Sequence, residues 1–457
     1  MKSIFIPKLV TPYNCEKNVQ FKLDQAGRIL SRESNISQKD LDSDTLHFSP
    51  EVIALPGLVN AHSHGFQRLL RGPTQYRGPS EDSFWTWRRV MYQCLAQLNP
   101  DDIYTITKHL YLEMVASGTS HVGEFHYVHH QPDGTPYPDS LAMSKAIIAA
   151  AKDAGLRLTL LRTIYLRGDF DAEPQPQQRR FIDPDLKSVR ASLDALIKLE
   201  DAHCTVGLAP HSVRAVSPDA LRELKRGYRD RAFHIHVSEQ PRENEGCQQH
   251  YGMSPVHLLE ESECLDPRTV LVHATHVSTD DISVIAERGA QVCFCPSTEA
   301  DLGDGLGPAR DYLKAGVSLS LGTDGQTFSS LLEEARRLEM NERLRLQVRN
   351  ALPMEASQSS GSVCFKAATD GGRMALGEAT ESLSVGSYFD IFTVRERDPF
   401  IAGVAEDDIL NAITFSLPSS HIESTWVAGN KVHSRIDTTQ LEKSAQELQA
   451  TRDRLFT

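Results

Sequence analysis

His62 and His64 stand two residues apart at the end of the apolar run Leu55-Pro-Gly-Leu-Val-Asn-Ala-His62. On a β-strand, residues i and i+2 share a face, so both imidazoles point the same way and could hold a transition metal. A histidine pair alone could equally be two packed side chains. The chain supplies the rest farther on. His234-Ile-His236-Val-Ser-Glu239, Val272-His273-Ala-Thr-His276 and Leu321-Gly-Thr-Asp324 each end an apolar run in polar residues. Taken singly, each has an ordinary explanation as a core histidine, a helix-capping aspartate or a solvated glutamate. Their recurrence at four run ends is a far less ordinary coincidence.

Three imidazoles and a carboxylate suit Zn²⁺ with one coordination position left for water. His62, His64, His236 and Asp324 are the expected ligands. His234 shares a face with His236 and is a rival, but the position nearer the strand end is the better ligand, and His234 is expected to pack deeper. The run Thr205–Val213 carries no Lys, Glu or Asp that could bridge a second ion, so one ion per chain is expected. Such an ion lowers the pKa of bound water and supplies hydroxide. Glu239, three residues beyond His236, is the expected proton shuttle between that water and a leaving nitrogen. His273 would orient the nucleophile or stabilise a developing oxyanion, and Asp324 would serve as a second proton acceptor.

These residues need a scaffold that brings strand ends together. Eight short apolar runs span 52–64, 119–128, 157–165, 205–213, 232–239, 269–276, 290–296 and 317–324, and helix-like segments separate most of them. Strands alternating with helices imply parallel strands and crossovers. Eight such units predict a (β/α)8 TIM barrel over residues 55–380, with its site at the C-terminal strand ends. A doubly wound sheet is the alternative, but no GxGxxG follows the first strand. Residues 1–54 and 381–457 have a shorter, strand-and-turn texture. Ser3–Ile6, Val19–Leu23 and Tyr388–Val394 read as strands, and Thr425–Val432 reads as a hairpin around Gly429-Asn430. Both termini are therefore expected to build one small β-sandwich domain, followed by a helix starting near the capping box Thr439-x-x-Glu442.

The bulk numbers narrow the function class. A formal charge of −13 gives no general attraction for nucleic acid, so an anionic substrate needs local cations. No apolar run is long enough for a membrane span, and the N-terminal stretch, interrupted by Pro7, does not read as a signal peptide. The eight cysteines are scattered and read as reduced, buried thiols, which suits the cytoplasm.

The set Pro56-Gly-Leu-Val-Asn-Ala-His-Ser-His64, His236-x-x-Glu239, His273 and Asp324 resembles the amidohydrolase superfamily, in its deaminase branch with one divalent metal. A narrower set resembles the formimidoylglutamate deiminases: His64-Gly-Phe-Gln-Arg68, Asp82-Ser-Phe-Trp-Thr-Trp-Arg88, Glu124-Phe-His-Tyr-Val-His-His130, Gln178-Arg-Arg-Phe181, Ala209-Pro-His-Ser-Val-Arg-Ala-Val216 and Leu302-Gly-Asp-Gly305. The resemblance implies zinc-dependent hydrolysis of N-formimidoyl-L-glutamate to N-formyl-L-glutamate and ammonia, in histidine degradation. It also implies substrate roles for Gln67, Tyr127, His211 and Arg214, with Arg88 reaching into a neighbouring subunit's site of a homodimer. Arg214 offers a bidentate fork to a carboxylate. The chain departs from the family pattern in two places. Gly325-Gln326 stands where Ser-His is expected, and Asp301 stands where Asn is expected. Both fall in loops at the active face, which leaves open a related formimidoyl or guanidino acid. A zinc aminohydrolase acting on a cyclic amidine, of the guanine or triazine type, is the alternative, and a catalytically dead scaffold is the third reading.

Overall fold

The computed structural model describes residues 2–77 and 83–456. Asp82 of the aromatic motif lies outside the described residues. Eight parallel strands form one sheet in strictly sequential order: Leu58–Ser63, Thr119–His126, Arg157–Ile164, Cys204–Pro210, Phe233–Val237, Thr269–His273, Gln291–Phe294 and Leu319–Leu321. A parallel bridge between Ser63 and Asp324 brings the last strand back to the first. Several of the helices that cross between strands begin at side-chain caps. Asn99 accepts from the Asp102 N–H ahead of Pro100–Ala116, and Ser217 accepts from the Ala220 N–H ahead of Pro218–Gly227. All eight residues of Thr119–His126 and of Arg157–Ile164 are buried, as expected of strands covered on both faces.

The apolar run over 52–64 is two strands. Val52–Pro56 pairs antiparallel with Ile391–Arg395 in the terminal sheet, and only Leu58–Ser63 belongs to the barrel. Gly57 makes the crossing. A Cβ there would lie 2.6 Å from Ser120 Oγ, so a larger side chain would push the two sheets apart. The terminal segments are hydrogen-bonded as one mixed sheet of eight strands, in the order 430–434, 422–427, 391–395, 52–56, 2–10, 15–23, 29–33, with the short strand 46–47 beside 2–10. The hairpin expected around Gly429-Asn430 turns one residue earlier, at Ala428-Gly429, and pairs Val427 with Asn430. Both turn residues have positive φ, 48° and 74°, which a two-residue turn of this hand requires.

The final helix, Thr439–Phe456, lies against the barrel helix Pro100–Ala116, where His109 Nδ1 is 2.8 Å from Ser444 Oγ. At the opposite end of the barrel from the strand C-termini, Arg157 donates to Asp390 Oδ2 at 2.9 Å, and His121 Nδ1 sits 3.2 Å from Glu378 Oε1. This charged layer closes the barrel floor against the terminal sheet. All eight cysteines are free thiols, seven of them buried. Among the described residues no helix is long and apolar enough to cross a membrane.

Candidate active site

The C-terminal strand ends deliver the polar residues to one point. His62 lies within the first strand and His64 just past it; His236 lies within the fifth strand, His273 ends the sixth, and Asp324 follows the eighth. Several of these corners leave the sheet through left-handed backbone: Ser238 at φ 51°, His273 at 68°, Ala274 at 46° and Asp324 at 42°. Such positions cost of order 1–3 kcal/mol each and persist where the surroundings hold them.

His62 Nε2 and His64 Nε2 are 3.2 Å apart, and Asp324 Oδ1 is 3.4 Å from the first and 3.3 Å from the second. One ligand atom each from His62, His64 and His236 falls within 4.8 Å of the others. His64 Nδ1 is 2.7 Å from the Phe125 carbonyl and His236 Nδ1 is 2.9 Å from the His211 carbonyl. A carbonyl can only accept, so both Nδ1 atoms carry the proton and both Nε2 atoms present lone pairs inward. His64 Nε2 and Asp324 Oδ1 are then two acceptors facing each other, an arrangement that a cation between them satisfies. Burial pushes the pKa of His62 down to about 3 and lowers those of His64 and His236, which keeps all three in the neutral, ligating form. Burial works against the Asp324 carboxylate, but His62, His64 and His273 around it hold it ionised, below the usual carboxylate range. These residues fit a divalent metal. His234 does not join them; its Nε2 is 2.8 Å from the Ala375 carbonyl, deeper in the barrel.

Glu239 and His273 face this group from one side, with His273 Nε2 3.6 Å from Glu239 Oε1 and 3.6 Å from Asp324 Oδ2. Burial, opposed by His273 and reinforced by Asp324, pushes the Glu239 pKa up to about 7, near the operating point of a general acid–base. Burial disfavours a charged His273, yet the carboxylates of Glu239, Asp324 and Glu299 outweigh it and raise its pKa.

A cavity opens over this point, and Gln67, Arg88, Tyr127, His211 and Arg214 all line it together with His64, His236, Glu239, His273 and Asp324. Gln67 Nε2 donates to Tyr127 Oη at 3.3 Å, while Gln67 Oε1 is buried with no partner. Arg214 is backed by buried Glu243 at 3.5 Å. Burial opposes the Arg214 cation, but Glu243, together with Tyr165, Asp169 and Glu239, outweighs it and keeps the guanidinium charged. Arg88 lines its own chain's cavity and donates from Nε to Tyr92 Oη at 2.7 Å.

The two departures from the family pattern have different outcomes. Asp301 is exposed and accepts from Gln75 Nε2 at 2.5 Å, on the outer side of the helix Pro296–Leu302. Gln326 is fully buried beneath the site, donating to Ser63 Oγ at 3.0 Å and accepting from Thr323 Oγ1 at 3.0 Å. Only Gly325 borders the reaction space, since a Cβ there would lie 3.3 Å from both Gln67 Oε1 and Thr298.

Sequence reasoning missed Tyr92, Tyr165, Glu243 and Glu299. Tyr165 directly follows the third strand, so the strand-end logic that found the histidines could have found it. Tyr92 lies four residues beyond Arg88 on the helix Phe84–Leu95, on the same face. Glu243 and Glu299 carry no local signal.

The model of the amidohydrolase family matches residues 53–432. This chain belongs to the amidohydrolase family. Among curated amidohydrolases and their kin, the formimidoylglutamate deiminase of Pseudomonas aeruginosa is 37% identical over 434 residues, covering 94% of each chain. The 8-oxoguanine deaminase of the same organism is 28% identical over 342 residues, covering 72% of this chain and 73% of its own. Among solved structures, an amidohydrolase from Brucella melitensis superposes with a TM-score of 0.91 at 32% identity over the whole of both chains. An adenosine deaminase from Xanthomonas campestris with bound zinc shares the fold, with a TM-score of 0.80 at 20% identity over 99% of this chain and 98% of its own.

Proposed function

We propose that this amidohydrolase hydrolyses N-formimidoyl-L-glutamate to N-formyl-L-glutamate and ammonia. The observation that carries the reading is one cavity lined by two chemically different sets of groups. One set comprises neutral imidazoles, Asp324, Glu239 and His273; Arg214 and Arg88 line the same space. A linear amidine bearing carboxylates presents the two complementary groups. An uncharged cyclic amidine has little use for two guanidinium groups. The 37% identity to a formimidoylglutamate deiminase over almost the whole chain supports the same reading.

His62, His64, His236 and Asp324 would hold one zinc ion, which when bound acidifies water and polarises the group under attack. Glu239 accepts a proton from the attacking water as its oxygen bonds to the formimidoyl carbon, then delivers that proton to the terminal nitrogen. His273, through Nε2, orients the nucleophile and stabilises the developing oxygen charge. Asp324 accepts the remaining hydroxyl proton and passes it to the same nitrogen; the terminal C–N bond then breaks as the carbon–oxygen double bond forms, and ammonia leaves. Arg214, Arg88 and His211 bind the carboxylates, and Gln67 and Tyr127 orient the linking chain. A homodimer in the cytoplasm, with a role in histidine degradation, completes the reading.

An ammonia-release assay tests it, with formimidoylglutamate, formimidoylaspartate, guanine and adenosine compared at equal concentration. Formimidoylglutamate is expected to give the highest kcat/KM. A higher value for a nucleobase or nucleoside would replace this reading with the cyclic-amidine one.

A further inference from the structure

His273 leaves the sixth strand through two consecutive left-handed residues, itself and Ala274. The backbone of this corner is braced by Tyr312, whose Oη donates to the Ala274 carbonyl at 2.8 Å. That contact fixes the main chain and leaves the imidazole ring free to rotate about its own side-chain bonds. The ring is nevertheless aimed, with Nε2 at 3.6 Å from both Glu239 and Asp324. What aims it lies on the other side: His273 Nδ1 is 3.3 Å from Glu299 Oε1. Glu299 is 3% exposed and comes from the helix Pro296–Leu302, in the loop after the seventh strand.

Its carboxylate has one other hydrogen-bond partner among the described residues. The Cys295 N–H donates to the same Oε1 at 2.8 Å. This contact could suggest that Glu299 merely caps its own helix. The helix start, however, is anchored independently, because the Ser297 N–H donates to Glu334 Oε2 at 2.8 Å. His273, Cys295 and Glu299 could also be grouped as ligands, since one donor atom of each falls within 4.8 Å of the others. The two N–H groups already aimed at Glu299 account for that closeness. A carboxylate only accepts, so His273 Nδ1 is the donor to Glu299, and Nε2 is the atom presented to the reacting groups.

We propose that Glu299 is a positioning residue for the hydrolytic reaction, holding the ring orientation of His273 through the Nδ1–H···Oε1 hydrogen bond. The inference rests on the hydrolytic reading above. The requirement is for a hydrogen-bond acceptor at this point, so an amide oxygen should replace the carboxylate in part, and an alkyl group should not.

The test compares Glu299→Leu and Glu299→Gln in the full-length, metal-loaded protein, each alone and combined with His273→Asn. Glu299→Leu is expected to lower kcat by about 10–100-fold, the range found for groups that orient a ligand or catalytic imidazole, with KM and metal content unchanged. Glu299→Gln should recover most of that loss, and in the His273→Asn background Glu299→Leu should cost little more. Equal losses for Leu and Gln, or losses that multiply fully with His273→Asn, would overturn the proposal and leave Glu299 a loop-stabilising residue. A substrate-free readout separates this from the identity of the substrate. Crystal structures of wild type and Glu299→Gln should show the His273 ring unmoved, and Glu299→Leu should show it turned from Glu239. An unmoved ring in Glu299→Leu overturns the proposal even if formimidoylglutamate is the substrate. If the wild type releases no ammonia from formimidoylglutamate, the functional reading fails, and the ring orientation still decides the role of Glu299. Should Glu299→Leu fail to fold, Glu299→Gln alone in the cycle decides, since an intact acceptor predicts near-wild-type kcat.

Discussion

Gln326 Nε2 donates to Ser63 Oγ at 3.0 Å, tying the residue between His62 and His64 to the loop that carries Asp324 after the eighth strand. The same amide nitrogen donates to the Asp324 carbonyl at 2.7 Å. Gln326 therefore holds the first and last strand ends together where the barrel closes, and it does not face the cavity. Replacing it by Leu removes the acceptor of the buried Thr323 hydroxyl proton and the link to Ser63, which keeps its own hydrogen bond to Glu124. We expect a loss of about 1–3 kcal/mol of stability and weaker metal retention, with KM for the acid substrate unchanged. Thermal unfolding with and without added zinc, together with KM, checks this. A large change in KM with unchanged stability would place Gln326 in substrate recognition after all.

The barrel and the convergence of His62, His64, His236, His273, Glu239 and Asp324 were legible because each sits where an apolar run turns polar, and a parallel barrel gathers such ends. Local pattern could not show where Val52–His64 divides, because both halves are buried and apolar and only the close approach of Gly57 to Ser120 separates them. It could not show that Gln326 points under the site, because the direction of a side chain in a loop depends on its φ, here 62°. Glu299 and Glu243 were hidden for a related reason. Their partners, His273 and Arg214, come from other segments, and a buried carboxylate on a helix has no periodic signature.

Glu239→Gln keeps the shape of the site and removes its proton acceptor. Metal content is expected to stay at that of the wild type, while kcat falls by about 10²–10⁴-fold, the usual share of general acid–base catalysis. Metal analysis and steady-state kinetics on one preparation check both halves. Retained turnover would transfer the shuttle role to Asp324.

Arg214 carries a charge that Glu243 balances, so its removal has two consequences. Arg214→Ala should raise KM for formimidoylglutamate by about 10–100-fold, the loss of one or two charge-assisted hydrogen bonds. It should also destabilise the fold by about 3–5 kcal/mol, because Glu243 is left buried and unpaired. Comparing formimidoylglutamate with its neutral diamide separates the two effects. The diamide should show little change in KM between wild type and variant, and an equal rise for both compounds would exclude carboxylate recognition by Arg214.

Removing the metal leaves His64 Nε2 and Asp324 Oδ1 facing each other as acceptors. Chelation is therefore expected to abolish activity and lower the melting temperature, and one equivalent of zinc per chain should restore both. The stabilisation should grow with free zinc as RT ln(1 + [Zn]/Kd), about 2.7 kcal/mol at a hundredfold excess over Kd. Titration followed by calorimetry and metal analysis checks the number of sites. Full recovery only at two equivalents would reject the single-ion site.

The charged floor of the barrel makes stability depend on pH through His121. Burial, reinforced by the neighbouring Arg157, pushes its pKa down to about 4, although Glu378 and Asp390 face the same group and act in the other direction. In the unfolded chain a histidine titrates near 6.5. Between pH 6.5 and about 4 the unfolded chain thus binds a proton that the folded protein refuses, and stability falls as pH falls. The contribution is fully present above pH 6.5 and is lost on acidification through that window. Glu378, whose carboxylate is held below the usual range by Arg157, His121 and Arg373 in spite of burial, adds to the loss only below the ordinary glutamate pKa. His121→Asn removes the first component, so the variant should lose about 2 kcal/mol less than the wild type between pH 7 and pH 5. Denaturant unfolding of both proteins at the two pH values measures the difference. Equal losses would mean that His121 accepts a proton in the folded protein and that Glu378 compensates for its burial.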